Sequence, residues 1–247
     1  KTLDILKLYF PNIRINLLCA NSNYKKLLKQ IQIFNPKFVY LNNINYQKKI
    51  INKVPRKTKI LNYNELKSYL DNSKSNLTIL AISGYKSLYY LDHIIKNTDN
   101  LGLVTKESIV SAGHIFKKNN YFQKTNIFPI DSEHFSIFNQ IKSINKTNNN
   151  IRNIILTASG GPFLNTKFKN LENIKFQKAI KHPKWKMGYK NSIDSATLVN
   201  KCLEVIETHY LFNIPFENIK ILIHPEAIVH SIIEYKNYVS SMIMFNN

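Results

Sequence analysis

Hydrophobic positions in the first half of the chain follow two periods. Thr2–Tyr9 and Tyr24–Phe34 carry apolar residues three and four positions apart, which predicts amphipathic helices. Residues 13–19 and Phe38–Leu41 are short apolar runs, which predict buried strands. The alternation continues with a helix at 65–70, a strand at 77–82, a helix at 84–95 and a strand at 102–104. It predicts a parallel, doubly wound α/β sheet, a fold that binds ligands at the carboxyl ends of its strands.

The second half shows a different order of elements. An apolar run at 126–130 predicts a strand that carries Asp131, Ser132 and Glu133 at its end, and a polar, asparagine-rich loop at 143–153 precedes a strand at 154–157. After residue 180 a lysine-rich loop leads into one long helix at 195–212. Strands are predicted at 219–223, 228–235 and 238–245.

Composition narrows the class of protein. The 247 residues are 44% hydrophobic and 12% aromatic, enough for a packed core. The two cysteines, Cys19 and Cys202, have no CxxC spacing, which suits a reducing compartment. No apolar run approaches the roughly 20 residues of a membrane span, so we expect no membrane partner.

The formal charge of +20 raises the question of a nucleic-acid partner. The lysines are spread along the whole chain, and the arginines, which make most bidentate base and phosphate contacts, are only Arg14, Arg56 and Arg152. We therefore expect no nucleic acid as partner. The positive field would still favour a small anionic substrate and a phosphorylated cofactor.

Asp131 and Glu133 are the first candidate site. Side chains alternate across a strand, so the predicted strand end places both carboxylates on one face and Ser132 on the other. Two close carboxylates repel each other, and a divalent cation between them removes the repulsion; oxygen ligands favour Mg²⁺ or Mn²⁺ over zinc. A solvated acidic turn is the alternative interpretation.

Two loops are candidates for ligand contact. Ser159-Gly160-Gly161 follows a strand and could cradle a phosphate with its amides and hydroxyl, or could be an ordinary glycine turn. Residues 182–188 hold the only tryptophan, Trp185, between lysines. This loop could be a lid over a substrate, or Trp185 could anchor it to the core.

One face of the long helix is the third candidate. Asn200 and Glu204 are four residues apart and share a face, with Lys201 beside them. An amide, an ammonium and a carboxylate together suit phosphate and metal binding. A surface helix with solvated charges is the alternative, and the intervening Leu198, Val199 and Leu203 argue for partial burial.

These motifs together resemble one family. They occur in the order Lys106-Glu107-Ser108, Pro129-Ile130-Asp131-Ser132-Glu133-His134, Ser159-Gly160-Gly161-Pro162-Phe163, His182-Pro183-Lys184-Trp185-Lys186-Met187-Gly188, Asp194-Ser195-Ala196-Thr197 with Asn200, Lys201 and Glu204, and Ile223-His224-Pro225 with His230-Ser231. From residue 1 to about residue 238 the chain resembles the 1-deoxy-D-xylulose 5-phosphate reductoisomerase family. The resemblance implies a Rossmann-like, NADPH-binding domain over residues 1–125, with its first strand missing, and an α/β catalytic domain over 126–247.

The resemblance also implies roles for individual residues. Asp131, Glu133 and Glu204 would ligate Mg²⁺ or Mn²⁺, with Co²⁺ possible. Catalysis would use these three with Lys106 and His182; the substrate would contact Lys106, Ser132, Glu133, Ser159, His182, Trp185, Ser195, Asn200, Lys201 and Glu204; and the cofactor would contact Asn21, Ser22, Asn23, Thr105, Glu107, Met187 and Gly188. His224 matches a histidine near the site.

The implied reaction converts 1-deoxy-D-xylulose 5-phosphate to 2-C-methyl-D-erythritol 4-phosphate in isoprenoid synthesis. In the family, the metal polarises the ketone and hydroxyl oxygens, the carbon skeleton rearranges by retro-aldol and aldol steps, and NADPH reduces the resulting aldehyde. The resemblance further implies a homodimer, located in the bacterial cytoplasm or, in a eukaryote, in the plastid.

The chain departs from the family pattern at the cofactor positions. Ala20-Asn21-Ser22-Asn23 stands where the family has Ala-Gly-Lys-Asn, and Thr105 stands where it has Asn. The missing lysine is expected to favour NADPH over NADH, a role that Lys25 or Lys26 could take. The family's glycine-rich turn and its carboxy-terminal helical domain have no counterpart in the sequence, so we expect little turnover from this piece alone. A relic that binds metal and phosphate without turnover is the alternative.

Overall fold

The computed structural model describes residues 2–143, 150–180 and 189–245. Contacts between Cα atoms divide the chain into two compact units, Lys1–Ser73 and Lys74–Asn247. Each unit has its own sheet or sheets, and no strand among the described residues pairs across the boundary. The domain boundary expected after residue 125 stays a prediction.

The first unit is a three-stranded parallel sheet with helices. Its elements are α1 (Thr2–Tyr9), β1 (Leu17–Ala20), α2 (Tyr24–Phe34), β2 (Phe38–Leu41), α3 (Ile44–Ile50), a 3-10 turn (Ile51–Lys53), β3 (Lys59–Leu61) and α4 (Tyr63–Asn72). The strands are ordered β1-β2-β3 and all pair in parallel. Buried Leu27 and Ile31 of α2 pack on Val39 and Leu41 of β2, as the amphipathic pattern requires.

Asparagines cap several helix ends in this unit. Asn23 caps α2 by accepting the Lys26 N–H, and Asn35 ends the helix in the left-handed conformation at φ 43°. Asn62 and Glu65 form a reciprocal capping box at the start of α4. Short polar side chains can satisfy the free N–H groups of a helix start, and asparagine tolerates positive φ, so these boundaries follow from local chemistry.

The second unit contains two sheets. Its elements are β4 (Ser75–Leu80), a 3-10 turn (Gly84–Ser87), α5 (Leu88–Ile95), β5 (Thr98–Leu103), α6 (Glu107–Lys118), α7 (Tyr121–Lys124), β6 (Asn126–Pro129), α8 (Ser132–Ser143), β7 (Ile151–Ala158), a 3-10 turn (Phe168–Asn170), α9 (Phe176–Ala179), α10 (Tyr189–Ala196), α11 (Val199–Phe212), a 3-10 turn (Phe216–Asn218), β8 (Ile219–Ile223), β9 (Val229–Tyr235) and β10 (Ser240–Met244). One sheet is parallel, in the order β4-β5-β6; the other is mixed, in the order β10-β9-β7-β8.

In the mixed sheet, β7 pairs in parallel with β8 and antiparallel with β9. Buried Ile154, Leu156 and Ile233 of this sheet pack with Ile137 of α8 and Phe212 of α11. These contacts hold α8 and α11 on the sheet, and both helices carry predicted site residues. The helix packing therefore sets the position of the site.

The fold class is confirmed, and two local predictions are wrong. The 131–134 segment is not a strand end, because β6 stops at Pro129 and α8 begins at Ser132. Alternation across a strand therefore does not order these side chains. The single helix expected at 195–212 is two helices, because Leu198 adopts φ 60° between α10 and α11.

Several other elements match their sequence patterns closely. The helices at Thr2–Tyr9 and Tyr24–Phe34 and the strands at Phe38–Leu41 and Ile219–Ile223 have the predicted bounds. The expected helix at 84–95 begins as a 3-10 turn. The loop expected at 143–153 lies partly outside the described residues, and its last three residues are strand, because β7 begins at Ile151. Among the described residues, no helix combines the length and the apolar character needed to cross a bilayer.

Candidate active site

Two strand ends in the parallel sheet bring Lys106 and Asp131 to one edge. β5 and β6 pair in parallel with Leu103 opposite Pro129, so the chain leaves both strands at the same edge. Lys106 then precedes α6, and Asp131 precedes α8. Asp131 acts as a helix cap, because its Oδ1 accepts the His134 N–H at 2.8 Å. This is the edge where parallel sheets bind ligands.

Close packing between α6 and α11 adds the residues of the long helix. A Cβ on Gly113 of α6 would lie 2.2 Å from the ring of Tyr210, so only glycine permits this approach. The neighbouring Ala112 departs from helical geometry, with φ −137°. As a result α11 lies near enough to α6 for Lys106 to contact the side chains of its first two turns.

Lys106 and Lys201 bind the carboxylates of two helices. Lys106 Nζ lies 2.8 Å from Glu204 Oε1 and 3.1 Å from Asn200 Oδ1. Lys201 Nζ lies 2.8 Å from Glu133 Oε1 and 2.5 Å from Glu204 Oε2, so one ammonium joins α8 to α11. Glu204 is 1% exposed and Lys201 4% exposed, and burial of that degree makes each charge dependent on its partner.

A second cluster lies behind Asp131. Both oxygens of Asp131 are within 2.8 Å of His134 Nδ1, and Glu207 Oε2 lies 3.3 Å from the same nitrogen. The other ring nitrogen, Nε2, lies 2.9 Å from Thr208 Oγ1 and 3.1 Å from the Glu204 carbonyl oxygen. His134 is fully buried and therefore connects the start of α8 to the middle of α11.

The charges shift one another's protonation. Burial disfavours the imidazolium of His134, but the Asp131 and Glu207 carboxylates outweigh it and raise its pKa to about 10. Burial raises the pKa of Glu207 to about 8. Burial also opposes the ionised form of Glu133, yet the Lys201 ammonium holds the pKa of that carboxyl well below its usual range. At neutral pH the site therefore keeps an ionised Glu133 beside a charged Lys201.

The donor set fits a divalent cation of the Mg²⁺ or Mn²⁺ type. Glu133 and Glu204 both reach the single cationic nitrogen of Lys201, so their spacing already accommodates a shared positive charge. Oxygen ligands of this kind suit hard cations. Asp131, the third ligand expected from the sequence, instead groups with His134 and Glu207, whose ligand atoms lie within 4.8 Å of one another. The set of Asp131, Glu133 and Glu204 stays a prediction.

The glycine turn packs against the end of α10. A Cβ on Gly161 would lie 2.7 Å from the Ser195 carbonyl oxygen, and Gly161 itself has φ 69°, so glycine is required twice over. The Gly161 N–H donates to Ser159 Oγ at 3.3 Å. Asn200 and Lys201 follow in the first turn of α11, where the positive end of the helix dipole favours an anion. The residues predicted to bind phosphate therefore come from one turn and two adjoining helix ends.

The predicted cofactor residues lie in both units and are described separately. In the first unit, Asn21 Oδ1 accepts from Asn42 Nδ2 at 2.9 Å, Asn23 caps α2, and all three residues of the Asn21–Asn23 turn are exposed. In the second unit, Thr105 Oγ1 donates to the Ile82 carbonyl oxygen at 3.0 Å, and Glu107 lies in the first turn of α6. Their cofactor role stays a prediction.

Ser132 and His224 bond to residues near them in sequence, and four other predicted residues fall outside the described part of the chain. His182, Trp185, Met187 and Gly188 lie outside the described residues. The Ser132 hydroxyl donates to Glu133 Oε2 at 2.5 Å. His224 accepts the Ile228 N–H at 3.2 Å and so shapes the turn between β8 and β9.

Three residues near the site were given no role by sequence reasoning. His230 Nδ1 lies 4.0 Å from Glu133 Oε1, and His134 and Glu207 form the cluster behind Asp131. His134 and His230 occur inside recognised motifs, and Glu207 stands three residues after Glu204, one helical turn along. That spacing was the available signal, but only the fold shows that Glu207 is buried.

Comparison with known proteins points to one family. The model of the 1-deoxy-D-xylulose 5-phosphate reductoisomerase matches residues 1–113, and the model of the C-terminal domain of the same enzyme matches residues 127–212. The two matches fall in the same order along the chain as the motifs described above. They cover most of the sequence and include Asp131, Glu133 and Glu204.

Relatives from distant bacteria agree with these matches. The 1-deoxy-D-xylulose 5-phosphate reductoisomerase of Pelagibacter ubique is 39% identical over 98% of this chain and 63% of its own length. The enzyme of a Clostridium botulinum strain is 39% identical over 96% of the chain and 62% of its own length. The chain thus spans somewhat over three fifths of the relatives that it matches.

Solved structures give the same result. A crystal structure of DOX-P reductoisomerase in complex with NADPH, fosmidomycin and magnesium matches 98% of this chain and 62% of its own, with a TM-score of 0.86 and 32% identity. The Zymomonas mobilis enzyme in complex with NADPH matches 99% of this chain and 63% of its own, with a TM-score of 0.88 and 30% identity.

Proposed function

Since the chain belongs to the 1-deoxy-D-xylulose 5-phosphate reductoisomerase family, we propose that its protein converts 1-deoxy-D-xylulose 5-phosphate to 2-C-methyl-D-erythritol 4-phosphate with NADPH and a divalent cation. The observation that carries the proposal is that the half-buried Glu133 and the buried Glu204 both pair with the ammonium of Lys201. Two carboxylates from separate helices share a positive charge at the ligand-binding edge of the unit. Solved relatives contain NADPH and magnesium, which supports this choice of cofactor and metal.

In this proposal Asp131, Glu133 and Glu204 hold the metal ion. When bound, Mg²⁺ or Mn²⁺ supplies Lewis-acid polarisation of the substrate's oxygens. Lys106 already neutralises Glu204 and lies beside Asn200, so its ammonium can orient a substrate oxygen at the same place. Ser132 lies at the start of α8 and presents its hydroxyl next to Glu133.

The phosphate of the substrate binds at the start of α11. Asn200 and Lys201 lie in the first turn of that helix, and Ser159 and Ser195 approach through the contact of Gly161 with α10. An anion there gains from the positive end of the helix dipole. Lys201 would then connect the phosphate to the carboxylates. Binding the unreactive phosphate holds the reacting carbons next to Glu133 and Glu204.

The test is an NADPH-consumption assay with the protein expressed from its native gene. The wild type is expected to oxidise NADPH only when 1-deoxy-D-xylulose 5-phosphate and Mn²⁺ are both present. Glu204→Gln keeps the size of the side chain and removes the charge, so it should abolish turnover. Full activity in Glu204→Gln would reject the metal assignment, and an inactive wild type would reject the proposed reaction.

A second candidate is a protein that binds metal and phosphate without turnover. It is favoured by the Asn21–Asn23 turn, which offers exposed neutral side chains where the family has a lysine. Titration with NADPH, followed by its fluorescence, separates the two functions. Saturable NADPH binding supports the reductoisomerase, whereas Mn²⁺ binding without NADPH binding supports the second candidate.

A further inference from the structure

Glu207 is a buried acid with no role in the proposed reaction. It is 2% exposed, and its Oε2 accepts no hydrogen bond among the described residues. A buried carboxyl oxygen in this state calls for an explanation, because desolvation without a partner is costly. The nearest group that can carry a positive charge and pair with this oxygen is the His134 ring, whose Nδ1 lies 3.3 Å away.

The hydrogen bonds around His134 define how its ring is held. The Thr208 hydroxyl donates its single proton to the Glu204 carbonyl oxygen at 2.8 Å, so at Oγ1 it can only accept from His134 Nε2. The other nitrogen, Nδ1, faces the oxygens of Asp131 at 2.7 and 2.8 Å and then Glu207. Both ring nitrogens therefore act as donors, Nδ1 to Asp131 and Nε2 to Thr208.

The His134 ring joins the start of α8 to α11. Asp131 lies at the start of α8, while Glu204, Glu207 and Thr208 lie on α11. His134 bonds to the Asp131 side chain at one nitrogen and to the main chain of Glu204, through its carbonyl oxygen and Thr208, at the other. A rotation of the ring would change the separation between two of the three proposed metal ligands.

We propose that Glu207 is a positioning residue: together with Thr208 it clamps the ring of His134, and His134 in turn sets Asp131 relative to Glu204. This inference rests on the proposed metal site. Metal-binding side chains are commonly oriented by a hydrogen-bonded partner behind them, and loss of such a partner lowers metal affinity about 10- to 100-fold. In this proposal Glu207 acts on Asp131 through the ring of His134 and is not itself a metal ligand.

Three variants test the clamp. Glu207→Leu removes both acceptor oxygens, Glu207→Gln keeps one carbonyl acceptor for His134 Nδ1, and Thr208→Val removes the acceptor at Nε2. Gln140→Leu is the matched control: Gln140 is a buried polar residue of α8 that bonds to Ser231 rather than to this cluster. Urea denaturation of each variant measures the loss of stability separately.

Two readouts are taken from the folded variants. The ring nitrogen signals of His134 in ¹⁵N NMR, recorded without metal, report the clamp itself, and Mn²⁺ titration followed by EPR reports the metal ligands. Glu207→Leu is expected to shift the His134 signals and to weaken Mn²⁺ binding about 10- to 100-fold, with Glu207→Gln restoring most of the affinity. Gln140→Leu should change neither readout, whatever its stability.

The outcomes separate the clamp from the proposed function. Unchanged His134 signals and unchanged Mn²⁺ affinity in Glu207→Leu would overturn the inference. If Glu207→Leu does not fold, Thr208→Val decides in the same way, because it releases the other side of the ring. A wild type that binds no Mn²⁺ would overturn the metal site of the proposed function, while the NMR signals would still show whether Glu207 holds His134.

Discussion

Two regions of the molecule pair their polar groups differently. The cluster formed by Glu133 of α8 with Lys201 and Glu204 of α11 uses ion pairs away from water, whereas the turn between β1 and α2 uses exposed hydrogen bonds. In the cluster, the Lys201 ammonium pairs with Glu204 in the same helix and with Glu133, which lies 68 positions away on α8. In the turn, Asn21 and Asn23 are exposed, and Asn23 bonds to a neighbour three residues away. A buried charge depends on its partner, whereas an exposed amide can exchange its partner for water.

This difference explains where the chain keeps the family pattern and where it departs from it. Replacing one member of the cluster would remove an ion-pair partner from a largely buried charge, and the cluster residues match the family motif throughout. Replacing the turn lysine by Ser22 leaves nothing buried and unpaired. The contrast predicts that substitutions in the cluster are costly to stability and that substitutions in the turn act mainly on the bound cofactor.

The largest effect is expected for Glu204→Ala. The change removes the carboxylate partner of Lys106 and one of the two carboxylate partners of Lys201, and breaking a buried ion pair from one side costs about 3–5 kcal/mol. Urea denaturation measures the loss, and Mn²⁺ titration should show no binding. Glu217→Ala, on an exposed acid, is the control and should stay within about 0.5 kcal/mol of wild type. Equal losses of stability in Glu204→Ala and Glu217→Ala would show that the buried ion pairs are not what makes the cluster sensitive to substitution.

Gly113→Ala should come second. Alanine in place of glycine normally stabilises a helix by about 1 kcal/mol, but here the new Cβ would meet the Tyr210 ring at 2.2 Å. Overpacking costs about 1–3 kcal/mol and pushes α6, with Lys106, away from α11. Thermal unfolding shows whether the net effect on stability is a gain or a loss. Combining Gly113→Ala with Tyr210→Ala should remove the clash, so additive losses in the double variant would contradict the packing explanation.

A smaller effect is expected for Asn23→Ala. Loss of the helix cap costs about 1 kcal/mol. Asn23→Asp keeps an acceptor for the Lys26 N–H and serves as the control, with stability expected near wild type. Helix content and urea denaturation check both variants. A loss of stability as large as that of Glu204→Ala would show that the turn depends on more than its local hydrogen bonds.

Ser22→Lys should have the smallest effect on stability. The side chain is exposed, so the change is expected to stay within about 0.5 kcal/mol. A lysine there can pair with the 2′-phosphate of NADPH, and an exposed ion pair of about 1 kcal/mol corresponds to roughly fivefold in affinity. The ratio of the NADPH and NADH dissociation constants measures the gain. An unchanged ratio would show that other residues set the preference for NADPH over NADH, and Lys25→Ala and Lys26→Ala would be the next variants to measure.

Local chemistry explains which elements were predictable. The bounds of α2 follow from Asn23, Asn35 and the spacing of Leu27 and Ile31, all within one segment. The start of α8 was missed because the apolar run at 126–130 extends the strand pattern up to Asp131, while the cap is a hydrogen bond that only the helix geometry creates. The break at Leu198 gives no local signal, because leucine rarely adopts positive φ.

The sequence by itself determined the α/β class, the caps of the first helices and the set of chemical groups at the site, because these depend on spacing and residue type. Only the tertiary structure decided which groups meet. Lys106 and Glu204 are joined across 98 positions, and Glu207 becomes a buried partner of His134. Such pairs depend on the packing of α6, α8 and α11. The close approach of α6 to α11 at Gly113 is one part of that packing, and it rests on a contact that no local pattern records.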